Sequence, residues 1–202
     1  MGAPRFQTTL ATVGIAIDDE LAATVVRTYR ERFWRVKGLW ADMQEAAMAA
    51  VSSQRPEPCG RVTWLREGVF LYCILPSGRT LAYPYPQIKA TVTSWGETRP
   101  ALTFMGVDAL TRQWKRQTTY GGSLTENACQ ATARDILAEA LLRLEASDAY
   151  SVVLGVHDEA ICEAVEGTGS LQEFTAFMEH LPDWAYGCPV AAESWQGGRY
   201  KK

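Results

Sequence analysis

The chain has 202 residues, 47% of them hydrophobic, which is enough to bury a core and excludes an intrinsically disordered segment. Twenty Lys/Arg against 23 Asp/Glu give a net charge of −3, which by itself selects no partner. The distribution is uneven: residues 1–121 hold 15 Lys/Arg and 10 Asp/Glu, whereas residues 122–202 hold 5 and 13. This suits either a protein that touches a polyanion with one half and collects cations with the other, or two ordinary solvated surfaces.

The pattern over residues 18–52 predicts one long helix. Ile17 ahead of Asp18-Asp19-Glu20 supplies a staple, a cap and an acidic first turn, and Val25, Tyr29, Phe33, Val36, Trp40, Met43 and Ala47 recur as a core stripe. Arg27, Arg30, Arg32, Arg35 and Lys37 occupy the other faces, as a phosphate-tracking row or as the wet side of the helix. Two prolines within residues 53–59 end it. Residues 69–75 and 80–83 flank Pro76-Ser77-Gly78-Arg79 and predict a β-hairpin, and residues 101–107 and 113–120 predict a second around Asp108. Within the latter, Arg112-Gln113-Trp114-Lys115-Arg116 reads as a charge-guarded sheet edge, with a nucleic-acid contact as the other option.

Gly121-Gly122-Ser123 breaks the sheet ahead of a second long helix, capped by Ser123 or Thr125, running to about Ala146 with Ala128, Ala131, Ile136, Ala140, Leu141 and Leu144 inward. An apolar strand, residues 150–156, and a second strand, residues 160–165, enclose the polar triplet His157-Asp158-Glu159. A third helix over residues 170–181 and a short strand near residues 189–193 complete an α+β chain. It divides into a helical segment 1–58, a β-hairpin region 59–121 and a helix, hairpin and helix segment 122–202.

The five cysteines, Cys59, Cys73, Cys129, Cys162 and Cys188, are odd in number, dispersed and free of CxxC pairs, so they read as reduced core residues of a cytoplasmic protein. The N-terminus has no apolar signal core, and the longest aliphatic run, residues 152–156, is too short to span a bilayer. Two histidines argue against a zinc site, and no GxSxG, Walker A or GxGxxG motif occurs. Adjacent Asp158 and Glu159 between apolar strands suggest a divalent-metal site at a hairpin bend, Mg2+ fitting the oxygen donors; a polar turn facing water is the simpler alternative.

Val156-His157-Asp158-Glu159 in this setting resembles motif C of family A DNA polymerases. Residues 119–135 resemble the helix leading into that hairpin in bacteriophage-type enzymes, and residues 184–193 and 198–202 resemble the C-terminus of that group. The resemblance covers nearly the whole chain and implies a palm subdomain of a DNA-directed DNA polymerase. It makes Asp158 the ligand of the catalytic Mg2+ ions and Glu159 a supporting, water-mediated acid, and it sets His157 near the primer terminus. Gln130 matches a glutamine that contacts the primer-template minor groove; Glu126 stands where many relatives have asparagine, with Asn127 displaced by one.

The resemblance implies primer-template DNA and a deoxynucleoside triphosphate as partners. Residues 1–7 resemble the segment that follows motif B, and neither motif B nor an Asp-Tyr-Ser-like motif A strand is found. A second polypeptide is therefore expected to carry motifs A and B, and this chain is expected to be inactive alone. The alternative is a non-catalytic remnant that binds DNA or a replication partner. A Mg2+-dependent phosphohydrolase using Glu163 and Glu166 is a weaker third reading.

Overall fold

A computed structural model of the chain describes residues 2–92 and 96–200; Met1 and the Lys201-Lys202 end, both within stretches that carry the resemblance, lie outside them. Five α-helices and nine strands in three antiparallel sheets make the described residues an α+β fold, as the pattern predicts.

The first helix, α1 (Ala3–Thr12), has no counterpart in the sequence reading; it starts with Pro in its first turn. Gln7 Nε2 donates to Asp19 Oδ1 at 2.8 Å and ties it to the next helix. The helix predicted over residues 18–52 is two: α2 (Asp19–Arg32) and α3 (Trp34–Ser53). Asp18 caps α2 as expected, its Oδ1 accepting the Leu21 N–H at 2.7 Å. At Phe33 the backbone leaves helical geometry (φ −107°, ψ 45°). This turns the chain so that Met43, Ala47, Ala50 and Val51 of α3 lie in the core, while α2 buries only Ala22. The upstream half of the expected core stripe is thus outward: Val25, Tyr29 and Phe33 are 39%, 47% and 49% exposed.

Four strands, β1 (Glu57–Cys59), β2 (Val62–Glu67), β3 (Phe70–Ile74) and β4 (Thr80–Pro84), pair in that order. The predicted hairpin is β3–β4, with Cys73 opposite Leu81. Trp64, Leu71, Cys73 and Tyr83 alternate onto the face that meets α3. The second sheet is β5 (Gln87–Val92), β6 (Thr98–Val107) and β7 (Trp114–Thr118), the predicted pair being β6–β7. Asp108 shapes their turn: its carboxylate accepts the Thr111 N–H and pairs with Lys115, contacts that hold it far below the usual carboxylate range. β7 is an edge strand, and Arg116 donates to the Tyr85 carbonyl at 2.9 Å, so part of the basic stretch braces its own sheet.

The long helix α4 (Gly121–Glu145) starts earlier than predicted, and neither Ser123 nor Thr125 caps it. Gln44 Oε1 from α3 accepts the Gly121 N–H at 3.0 Å, and Thr125 Oγ1 donates back to the Gly121 carbonyl. A Cβ on Gly121 would stand 1.7 Å from the Trp40 carbonyl oxygen. Glycine lets the two helix backbones touch. The main core joins α3, the first sheet, Leu102 of β6, and Leu124 and Ala128 of α4.

Beyond Gly121's end of the helix, Ile136, Leu137, Ala140, Leu144 and Tyr150 are buried nearer the third sheet, β8 (Ser151–Val156) with β9 (Glu159–Glu163), and α5 (Leu171–Glu179). Ser170 caps α5, and the Tyr150 ring packs edge-on to Phe174 and Phe177. The terminal strand predicted near residues 189–193 does not form; the chain there is irregular, with the Ala192 N–H on Glu179 Oε1 at 2.9 Å. Of the cysteines read as core, Cys59 and Cys73 are buried, Cys162 is half-buried, and Cys129 and Cys188 are exposed. Among the described residues no helix is long and apolar enough to cross a membrane.

Gly121→Ala forces its methyl into the Trp40 carbonyl and is expected to cost about 3 kcal/mol or prevent folding, whereas Gln44→Ala, which strips one helix-end N–H of its partner, costs about 1 kcal/mol. Urea denaturation followed by circular dichroism measures both.

Candidate functional site

Val156 pairs with Glu159, so His157 and Asp158 form the two-residue turn of the β8–β9 hairpin. His157 takes left-handed backbone (φ 53°), a conformation that His tolerates better than most residues with a side chain. The turn places Asp158 at the tip and Glu159 at the first position of β9. α4 lies beside the ribbon: a Cβ added at Gly155 would meet its Leu141 side chain at 3.9 Å. The Glu145 carboxylate at its end accepts the Val152 N–H at 3.1 Å.

Asp158 and Glu159 line a cavity of about 1650 Å3. Its walls include one face of α4 (Thr125, Cys129, Ile136), the hairpin, and an irregular C-terminal stretch through Tyr200. Arg61 fastens the start of that stretch, its guanidinium donating to the Trp184 and Tyr186 carbonyls at 3.3 and 2.9 Å. The two carboxylates differ in their surroundings. Glu159 Oε2 accepts a hydrogen bond from the Tyr200 hydroxyl at 2.9 Å, and this bond raises the Tyr200 phenol above its ordinary range. Asp158 is exposed and faces the cavity.

Two neighbouring carboxylates suit a hard cation such as Mg2+, which keeps several waters and takes one or two protein oxygens. Among the described residues no group of three or more His, Cys, Asp or Glu is gathered to hold a metal ion. Asp158 and Glu159 are therefore too few to enclose such an ion by themselves.

His157, at the turn, is exposed. Gln130 is exposed on α4 and does not line the cavity. Asn127 also stands outside the lining, and its Nδ2 donates to the Tyr83 hydroxyl at 3.1 Å. Burial of that tyrosine pushes its phenol up to about 12. The structure thus brings Asp158 and Glu159 together and leaves Gln130 and Asn127 on another side of α4.

Three contacts absent from the sequence reading shape the site. Tyr200 ties Glu159, Arg61 ties the C-terminal stretch, and Asp135 of α4 accepts from Ser77 and Arg79 of the β3–β4 turn. Each contact spans 41 or more residues, so no local spacing announces it.

Cys129 and Cys188 open onto the cavity, Cys162 is half-buried with its thiol raised by burial, and burial pushes the Cys73 thiol up to about 12. Iodoacetamide at pH 8, followed by mass spectrometry, should label Cys129 and Cys188 first and Cys162 more slowly. Cys59 and Cys73 should resist until the chain is unfolded.

No protein-family model and no solved structure matches the chain. Over 179 residues, 88% of its length, it is 37% identical to a protein named DNA polymerase from Bacillus phage SP02, of which it spans 27%. Along nearly all of its own length, the chain is a relative of a bacteriophage DNA polymerase and corresponds to just over a quarter of that protein.

Proposed function

We propose that the chain supplies the motif C part of a family A polymerase palm, acting on primer-template DNA and a deoxynucleoside triphosphate. The observation that carries this reading is the exposed carboxyl of Asp158, held at the tip of a tight hairpin on the wall of a large cavity, in a chain similar to a phage polymerase. Asp158 would hold the catalytic Mg2+, with Glu159 acting beside it through water. When bound, Mg2+ would favour attack by the primer 3′-hydroxyl and neutralise charge on the triphosphate.

The chain's own contribution is a negative charge carried at the tip of a short hairpin, whose first strand α4 holds through the Glu145 carboxylate on the Val152 N–H. Gln130, exposed on the same helix, can donate its amide to the minor-groove acceptors that all base pairs share, which holds a duplex without reading its sequence. His157 would stand near the primer terminus. Asn127 has one amide hydrogen engaged by Tyr83, leaving its carbonyl and the other hydrogen for DNA. The exposed Arg27, Arg32 and Lys37 of α2 and α3 offer a surface attractive to a polyanion.

One wall of a Mg2+ site needs completion. The second metal-binding aspartate of motif A and the nucleotide-holding helix of motif B would come from outside these 202 residues, and residues 122–202 would form the palm part that meets them. The chain alone is then expected to be inactive.

Mixed with a polypeptide carrying motifs A and B of such a polymerase, the chain should restore Mg2+-dependent primer extension. Asp158→Ala should reduce that extension by roughly 10³-fold or more, and Gln130→Ala should weaken primer-template use by roughly tenfold. Extension indifferent to Asp158→Ala would sink the reading. Salt-sensitive duplex binding with no synthesis in any mixture would favour the non-catalytic remnant.

A further inference from the structure

The β5–β6–β7 sheet carries the basic stretch around Trp114, and nothing at the β8–β9 hairpin uses it. Residues 87–118 hold five Lys/Arg and two Asp/Glu. Both acids are taken, Glu97 by Arg99 at 2.6 Å and Asp108 by Lys115 at 2.9 Å. Among the described residues Lys89, Arg112 and Arg116 have no carboxylate partner. Residues opposite one another on paired strands share a face of the sheet. The register sets Trp114 opposite Val107, Arg116 opposite Met105 and Lys89 opposite Ala101, so all three lie on the face away from Leu102 and the core. Arg112 is exposed in the turn two residues before Trp114.

Two rings stand beside these cations. Trp114 is 55% exposed and Tyr85 52%, and among the described residues neither stacks on another ring. Tyr85 sits in left-handed backbone (φ 50°), strained for a tyrosine and pinned on both sides. Its N–H donates to the Val69 carbonyl at 2.6 Å, and its carbonyl accepts from Arg116 at 2.9 Å. Tyr85, Arg66 and Lys89 line an open depression of about 410 Å3 whose wall holds no carboxylate. The Arg116 bond makes that depression adjoin the sheet face.

Cations without acids beside unstacked rings match a chain of phosphates with its bases turned out. A duplex keeps its bases stacked on one another, so a single strand is the form that can offer them to Trp114 and Tyr85. A charge-guarded edge needs the cations alone, and an exposed indole works against it. We propose that this face and its depression bind single-stranded DNA, Trp114 and Tyr85 stacking on bases while Lys89 and Arg112 follow the phosphates. Arg116 keeps its bracing bonds and adds its charge. The choice of DNA as the polymer rests on the reading above; the surface needs none of its metal chemistry.

The test is fluorescence anisotropy of the 202-residue chain with a labelled oligothymidylate of about 12 nucleotides, without Mg2+ and over a series of salt concentrations. Trp114→Ala should weaken binding roughly tenfold with the salt slope unchanged, and Trp114→Phe should recover most of the loss. Lys89→Ala with Arg112→Ala should weaken it by a similar factor and flatten the slope by about 1.4, two phosphate contacts being lost. The proposal is overturned if Trp114→Ala binds as tightly as the parent, if Arg27→Ala with Lys37→Ala costs as much as the Lys89 and Arg112 pair, or if an unlabelled duplex of equal length competes as well as the single strand. Primer extension that ignores Asp158→Ala would sink the metal reading and leave this surface standing, so the two fail separately.

Discussion

The contact between α3 and α4 at Gly121 governs the placement of everything downstream. With the Trp40 carbonyl where a Cβ would be, the two backbones meet at the closest distance that the chain permits. Gln44 then completes the helix end that the close approach shields. α4 has 25 residues and is about 37 Å long, so a small tilt at its start becomes a large displacement at its end. Its first half belongs to the main core through Leu124 and Ala128, and its second half underlies the β8–β9 ribbon. Asp135, between the two, is pinned to the β3–β4 turn by Ser77 and Arg79. Helix start, helix middle and acidic tip form one mechanical chain.

The excess of basic residues in the first half of the sequence has two uses. Arg61, Arg66, Arg79 and Arg116 each donate to a backbone carbonyl, and Arg143 does the same for the end of α5. Guanidinium groups used in this way tie one stretch of backbone to another, so they are architectural. Arg27, Arg32 and Lys37 of α2 and α3 are exposed. Charge counting alone does not separate arginines that hold carbonyls from basic residues at the surface.

Local chemistry made much of the fold legible. Asp18 and Ser170 cap their helices, the Pro-Ser-Gly-Arg stretch turns β3 into β4, and Asp108 organises the β6–β7 turn. The hairpin was legible for the same reason, a polar triplet His157-Asp158-Glu159 between two apolar runs, although Glu159 already belongs to the second strand. What escaped depends on distant parts of the chain. The helical period runs through Phe33 without interruption, and an apolar stripe looks the same whether its own core covers it or not, which is why the break and the exposure of Val25 and Tyr29 were missed. The cap of α4 comes from Gln44, 77 positions away, and the partner of Glu159 comes from the far end of the described chain. Asn127 became a candidate DNA contact through the resemblance alone, and nothing local revealed that its amide also meets Tyr83.

The acidic tip stands on a two-stranded sheet that, among the described residues, pairs with no other strand, interrupted by a bulge between Val152 and Leu154, with Val153 and Leu154 each 52% exposed. A ribbon of that size is marginal in water without support. Its order is therefore borrowed from α4 and the C-terminal stretch, and it should open at lower free energy than the core around Trp64 and Leu71. Warming or mild denaturant would dismantle the hairpin tip while the body of the molecule stays folded, so the loss of the tip and the loss of the fold are separate thermal events.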